Sequence, residues 1–187
     1  MEPDFRQRGV AEVRSEIDFV IVGGAMEKIR NKDVAYPYRQ DSCFLYYFGL
    51  NISGLAAIID AESGEETIFG NELSIEDIVW TGPQSTVVEM AMAVGVSKTA
   101  PYRAIENAIR KAVTGGRQIH FIPPYRAENK IKLAQWLNIA VKAVGDAASV
   151  PLIKAIVKQR SYKENCEIEE MDKATNVSAD MHLAAMR

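Results

Sequence analysis

Short apolar runs of strand character alternate along this chain with stretches whose apolar residues recur at helical spacing, and that alternation restricts the fold to an α/β layer arrangement. Asp18 to Gly24 reads as a buried strand ended by glycines. Gly54 to Asp60 is apolar enough for a central strand, and Glu65 to Asn71 pairs with it across a turn at Glu62-Ser63-Gly64. Gln118 to Ile122 is a further strand, closed by Pro123-Pro124. Between them lie the helical signals. Phe5 to Ser15 turns Val10 and Val13 inward, Ser74 caps a helix through Val79, and Thr86 to Ala93 repeats apolar residues at helical spacing. Pro101 suits the first turn of a helix that runs to Val113 and stops at Gly115-Gly116. Glu128 to Val141 carries Ile131, Leu133, Ala134, Leu137 and Val141 on one stripe. A chain of 187 residues holds one substantial core, or a domain with an appendage.

The run from Tyr36 to Leu50 concentrates four tyrosines and two phenylalanines in fifteen residues. Rings bury large apolar areas while the Tyr hydroxyl seeks a partner, so the run is either core or a wall that meets a ligand or a second protein. Pro37 stiffens its entry and biases Tyr36 toward an extended backbone. Asp41 or Ser42 then caps a short helical turn bearing Phe44, Tyr47 and Phe48, and Gly49 ends it.

After Pro151 a short apolar helix spans Leu152 to Val157, and Ser161-x-x-Glu164 fits a capping box. The helix that follows places Ile168, Met171, Ala174, Ser178, Met181 and Ala185 on one narrow face, which expects a partner surface.

A formal charge of −3 supplies no basic excess for a nucleic acid or an anionic membrane. The N-terminal residues lack the apolar stretch of a secretory signal, and no segment reaches the ~20 apolar residues of a membrane span, so the chain reads as cytoplasmic. Cys43 and Cys166 match no metal spacing and read as reduced thiols rather than a bridge. His120 and His182 have no partner at ligand spacing and read as structural. There is no Gly-x-Ser-x-Gly elbow and no phosphate loop, and Gly23-Gly24-Ala25 does not complete a dinucleotide fingerprint. The residues therefore offer no catalytic constellation and no cofactor site.

The pattern Arg30-Asn31-x-Asp33-Val34-x-Tyr36-Pro37-Tyr38-Arg39-Gln40-Asp41-Ser42-x-Phe44-x-Tyr46-x-x-Gly49 resembles the N-terminal domain of the aminopeptidase P, prolidase and creatinase group. Two further landmarks follow in order. Val79-Trp80-Thr81-Gly82 resembles that group's tryptophan-x-glycine element. Arg160-x-x-Lys163-x-x-x-Glu167-Ile168, with Ala174 and His182-x-x-Ala185-Met186, resembles its interdomain helix, which would begin near Lys163 to Asn165.

The resemblance implies a mixed β-sheet flanked by helices on both faces, with an RNase H-like core, over residues 1–160. Residues 161–187 would then form the interdomain helix at the start of a missing pita-bread catalytic domain. Members of the group hydrolyse peptides with proline in the second position, or related small amides, using two divalent metal ions such as manganese, cobalt or zinc. Those metal ligands would lie beyond Arg187, so this chain is expected to be non-catalytic and without a cofactor of its own. Its expected partners are the catalytic domain, further copies in a homo-oligomer and, in the parent protein, a proline-containing peptide in a neighbouring subunit's site. Trp80 matches the tryptophan that contributes to that site; as a plain residue it reads equally as a core Trp at a helix end. Arg39 is placed to meet a carboxylate through a forked contact, or to pair with Asp33 or Asp41 in its own loop. Cys43 stands where the group commonly has an acidic residue, and Phe48 where it has a small hydroxyl residue; a thiol cannot meet a charged amino group as an acid does. Substrate-binding expectations thus fall on Trp80, Arg39 and Cys43. The alternative is a peptide- or protein-binding module of a metal-free, inactive relative.

Overall fold

The computed structural model describes residues 17–31 and 34–187. The helix expected over Phe5 to Ser15, and Asp33, lie outside the described residues. Seven strands are present among them: β1 (Phe19–Gly23), β2 (Ile29–Asn31), β3 (Val34–Ala35), β4 (Ala56–Asp60), β5 (Glu66–Phe69), β6 (Lys98–Ala100) and β7 (Ile119–Phe121). The helices are α1 (Ser42–Phe48), α2 (Ile75–Thr81), α3 (Val87–Ala93), α4 (Ala104–Thr114), α5 (Ala127–Leu137), α6 (Val150–Ser161) and α7 (Asn165–Met186).

Five strands form one mixed sheet in the order β6-β5-β4-β1-β7, while β2 and β3 make a separate two-stranded ribbon. β4 pairs antiparallel with both β1 and β5, whereas β1–β7 and β5–β6 are parallel. Successive residues of a strand face opposite sides, and this divides the core in two. Val20, Val22, Ala57, Ile59 and Ile68 meet Phe44 and Phe48 of α1, Val87 and Ala91 of α3 and Leu152 of α6. Phe19, Ile21, Ala56, Ile58 and Phe69 meet Ile105 and Ile109 of α4 and Leu133 and Ala134 of α5. The sheet is mixed and covered by helices on both faces, as the family resemblance implied.

The β4–β5 hairpin forms at the expected turn. Asp60 Oδ1 accepts from the backbone N–H groups of Glu62 at 3.0 Å and Ser63 at 3.1 Å, and Gly64 takes a left-handed φ of 74°. Arg117, just before β7, grips the same carboxylate with a fork (Nη1 to Oδ2 2.5 Å, Nη2 to Oδ1 2.8 Å) and also donates to the Asp18 carbonyl at 2.7 Å. That guanidinium holds the Asp60 carboxyl down to about 2.

Several boundaries differ from expectation for local reasons. α5 ends at Leu137 rather than Val141 because Asn138 adopts the left-handed conformation (φ 52°, ψ 47°) and terminates it. α6 starts before Pro151 and runs to Ser161, because Ser149 Oγ accepts from Leu152 N and proline is tolerated in a first turn. The capping box expected from Ser161 to Glu164 is not formed, since Ser161 Oγ donates back to the Val157 carbonyl at 2.6 Å. Glu164 and Glu167 form the box instead, so α7 begins where the family resemblance placed it. The edge strand β6 and the β2–β3 ribbon are too short to carry a legible alternation.

Candidate functional surfaces

The aromatic motif builds a clasp around the end of β1. Gln40 is 1% exposed. Its amide oxygen accepts from Ala25 N at 2.5 Å and from Asp41 N at 2.8 Å, and its Nε2 donates to the Ile52 carbonyl at 2.8 Å. The Tyr38 hydroxyl shares its proton between the carbonyls of Ala25 (3.1 Å) and Ile52 (3.0 Å), and burial pushes that phenol up to about 12, so it stays a donor. The strand end must pass close to the next segment for this to work. A Cβ on Gly24 would stand 2.2 Å from the Leu55 carbonyl oxygen, so only glycine fits there. This clasp was not legible in the sequence beyond the motif itself, since it joins residues 11 to 15 positions apart.

Asp41, rather than Ser42, caps α1: its Oδ1 accepts from Cys43 N at 2.9 Å and Phe44 N at 3.2 Å. Gly49 ends the helix with a left-handed φ of 68°. Phe44 and Phe48 face the core with ring centroids 5.0 Å apart. Cys43 lies half-buried at the junction of α1 and α6, with Arg160 Nη1 3.5 Å from its sulfur. Burial pushes the thiol up, reinforced by the Asp41 charge and opposed by Arg160, so it is a neutral group at neutral pH. The Arg160 guanidinium also stacks 4.9 Å from the Tyr46 ring, and Tyr47 donates to Gln159 Oε1 at 2.8 Å, so the motif is tied to the end of α6.

Arg39 is exposed, and among the described residues it makes no ion pair; the pairing with Asp41 is not formed, because Asp41 is turned onto its helix cap. Trp80 is 82% exposed, on a helix with no buried residue, which excludes the core-Trp reading. It stands on α2 beside Ile75 and Val79, 83% and 76% exposed. No hydrogen bond, ion pair or ring contact joins Trp80, Arg39 and Cys43 among the described residues. α7 likewise buries none of its side chains, Ile168, Met171 and Met181 included.

His120 is buried on β7, its Nδ1 2.7 Å from Ser149 Oγ, and burial holds its pKa below the ordinary range. That contact makes it a strand-to-helix-cap link, whereas His182 is exposed on α7. Among the described residues no three His, Cys, Asp or Glu side chains converge to hold a metal ion. None of the helices among them is long and apolar enough to cross a membrane.

Comparison with known proteins gives these surfaces a context. The relatives include a probable Xaa-Pro aminopeptidase of Neosartorya fischeri, 20% identical over 85% of this chain and 33% of its own length. One from Aspergillus niger is 24% identical over 84% of the chain and 33% of its length. The chain thus spans about a third of the curated relatives it matches. Among solved structures, Pseudomonas aeruginosa aminopeptidase PepP superposes with a TM-score of 0.74 at 24% identity, covering 100% of this chain and 44% of that one. Zinc-substituted Escherichia coli aminopeptidase P in complex with product gives 0.61 at 18% identity, over 74% of this chain and 33% of that one. The aminopeptidase P N-terminal domain profile matches residues 5–120, more than half of the chain, and with the sheet and motif described above it establishes that the chain belongs to this family.

Proposed function

We propose that this chain is the non-catalytic N-terminal domain of a metal-dependent Xaa-Pro peptidase, of aminopeptidase P or prolidase type. The observation that carries this is the pairing of a fully packed two-sided core with two apolar helix surfaces, α2 and α7, that none of the described residues covers. Its likeness to Xaa-Pro aminopeptidases about three times its length supports a larger parent protein. In that reading α7 docks on the catalytic domain, copies associate into a homo-oligomer, and Trp80 forms part of a neighbouring subunit's substrate wall. A rigid indole suits a proline ring, and its exposure leaves it available for that contact. Arg39 and Cys43 would modulate the peptide preference. Two divalent ions, bound entirely in the catalytic domain, would supply the hydroxide for hydrolysis.

The test uses the chain and its full-length parent side by side. The chain incubated with manganese and a proline-containing tripeptide should release no amino acid, while the parent should cleave it. Turnover by the chain alone, or an inert metal-loaded parent, would defeat the proposal.

A further inference from the structure

A cleft of about 510 Å³, including its open mouth, lies beyond the ends of the parallel neighbours β1 and β7, against α5. Ligands of α/β sheets commonly bind outside the carboxyl ends of strands, so the position is suggestive, and the lining is more so. One wall is aromatic: the rings of Tyr102 and Trp136 lie with centroids 6.1 Å apart at 54°. Lys132 reaches into it half-buried, donating to the Tyr102 hydroxyl at 2.9 Å with its ammonium 4.8 Å from that ring. Among the described residues no carboxylate neutralises it. Asn129 lines the cleft with an amide that makes no hydrogen bond among those residues. Asp41 lines it too; its Oδ1 carries both cap bonds and its Oδ2 receives none among the described residues.

The floor is open where a side chain could stand. A Cβ on Gly23 would find nothing nearer than the Asn129 amide nitrogen at 3.8 Å, an ordinary contact, so packing does not require glycine there. Gly24 differs, since its glycine is forced by the Leu55 carbonyl at 2.2 Å from the added Cβ.

We propose that this cleft binds a free amino acid with a ring-bearing apolar side chain. Among the described residues Lys132 has no carboxylate beside it, and Asp41, although it lies in the field of Arg126, keeps its Oδ2 free of hydrogen bonds. An ammonium and a carboxylate oxygen facing one cleft are complementary to a zwitterion. The ligand carboxylate meets Lys132 and Asn129, its ammonium meets Asp41 Oδ2, and its side chain packs on Tyr102 and Trp136. A simple anion would leave Asp41 opposed, and a simple cation would leave Lys132 opposed.

Trp136 and Trp80 are the chain's two tryptophans, so Trp80→Phe leaves a single reporter in the cleft. Titrating that variant with L-phenylalanine should change its fluorescence saturably, with a dissociation constant on the order of 1 mM for so small a ligand. N-acetyl-L-phenylalanine and L-phenylalaninamide, each lacking one charge, should bind at least about tenfold more weakly. In the same background Lys132→Met should remove the response by charge and Gly23→Val should remove it by filling the floor, with circular dichroism unchanged. A linear response with no saturation, equal binding of either derivative, or binding that survives in both variants would overturn the assignment.

Discussion

Helices α1 and α2 have the same seven-residue length, and each carries a side-chain cap at its start and a glycine at its end. α1 sinks Phe44, Tyr47 and Phe48 into the core, while α2 keeps Ile75, Val79 and Trp80 in solvent. Capping therefore makes both helices without deciding what either is for. A cap satisfies orphan backbone donors at any site, but only the neighbouring sheet determines whether an apolar side chain finds a partner. α1 follows a clasp that pins it to the end of β1, whereas every residue from Asn71 to Thr81 is exposed. The apolar side of α2 is thus available to another surface, and that of α1 is already used.

The contrast can be broken most sharply at Phe44, which is 0% exposed. Phe44→Ala should destabilise the chain by about 3–5 kcal/mol in denaturant unfolding, the usual cost of a large aromatic truncation in a core. A loss near zero would mean that α1 is as peripheral as α2. Removing the caps gives a smaller, still unequal pair of effects. Asp41→Ala should cost about 1–2 kcal/mol of global stability because the packed helix depends on it. Ser74→Ala should leave the unfolding midpoint unchanged and instead speed amide exchange locally over residues 75–81, because α2 opens without the core.

Acid tests the packed side by a different route. The carboxyl of Asp60 lies at about 2 in the folded chain, below its ordinary value, so its contribution is fully present above the unfolded value near 4 and is lost as pH falls toward 2. The pair is partly solvated, which limits the contribution to about 1 kcal/mol. Asp60→Asn should flatten the dependence of the unfolding midpoint on pH between these limits; an unchanged slope would show that the Arg117 fork adds nothing. The smallest effect is expected at Trp80. Trp80→Ala should move the stability of the chain by less than about 0.5 kcal/mol, as surface substitutions do, yet lower the kcat/KM of the full-length parent. A large loss of stability in the chain would return the indole to a structural role, and an unaltered parent would remove it from the substrate wall.

The strands β1, β4 and β5 and the hairpin between the last two were legible because buried strands and turn residues leave local signatures. So were the start of α1 at Asp41 or Ser42, its end at Gly49, the Ser74 cap, the helical spacing from Thr86, and the family motif. Those properties follow from backbone conformation and apolar spacing over a few residues, which the chain carries wherever it folds. Other features rest on contacts between distant segments. Gln40 reaching Ala25 and Ile52, Arg117 closing on Asp60, and His120 meeting the cap residue Ser149 have no local signature. The fate of Trp80 belongs with them, since its residue type fits a core or a surface equally well. So does the cleft of Lys132, Asn129 and Asp41, whose members come from one helix and the cap of another brought to one end of the sheet. Sequence periodicity determined the longer helices and the central strands; only the packing of those segments decided which side chains are consumed in holding the domain together and which remain to meet something else.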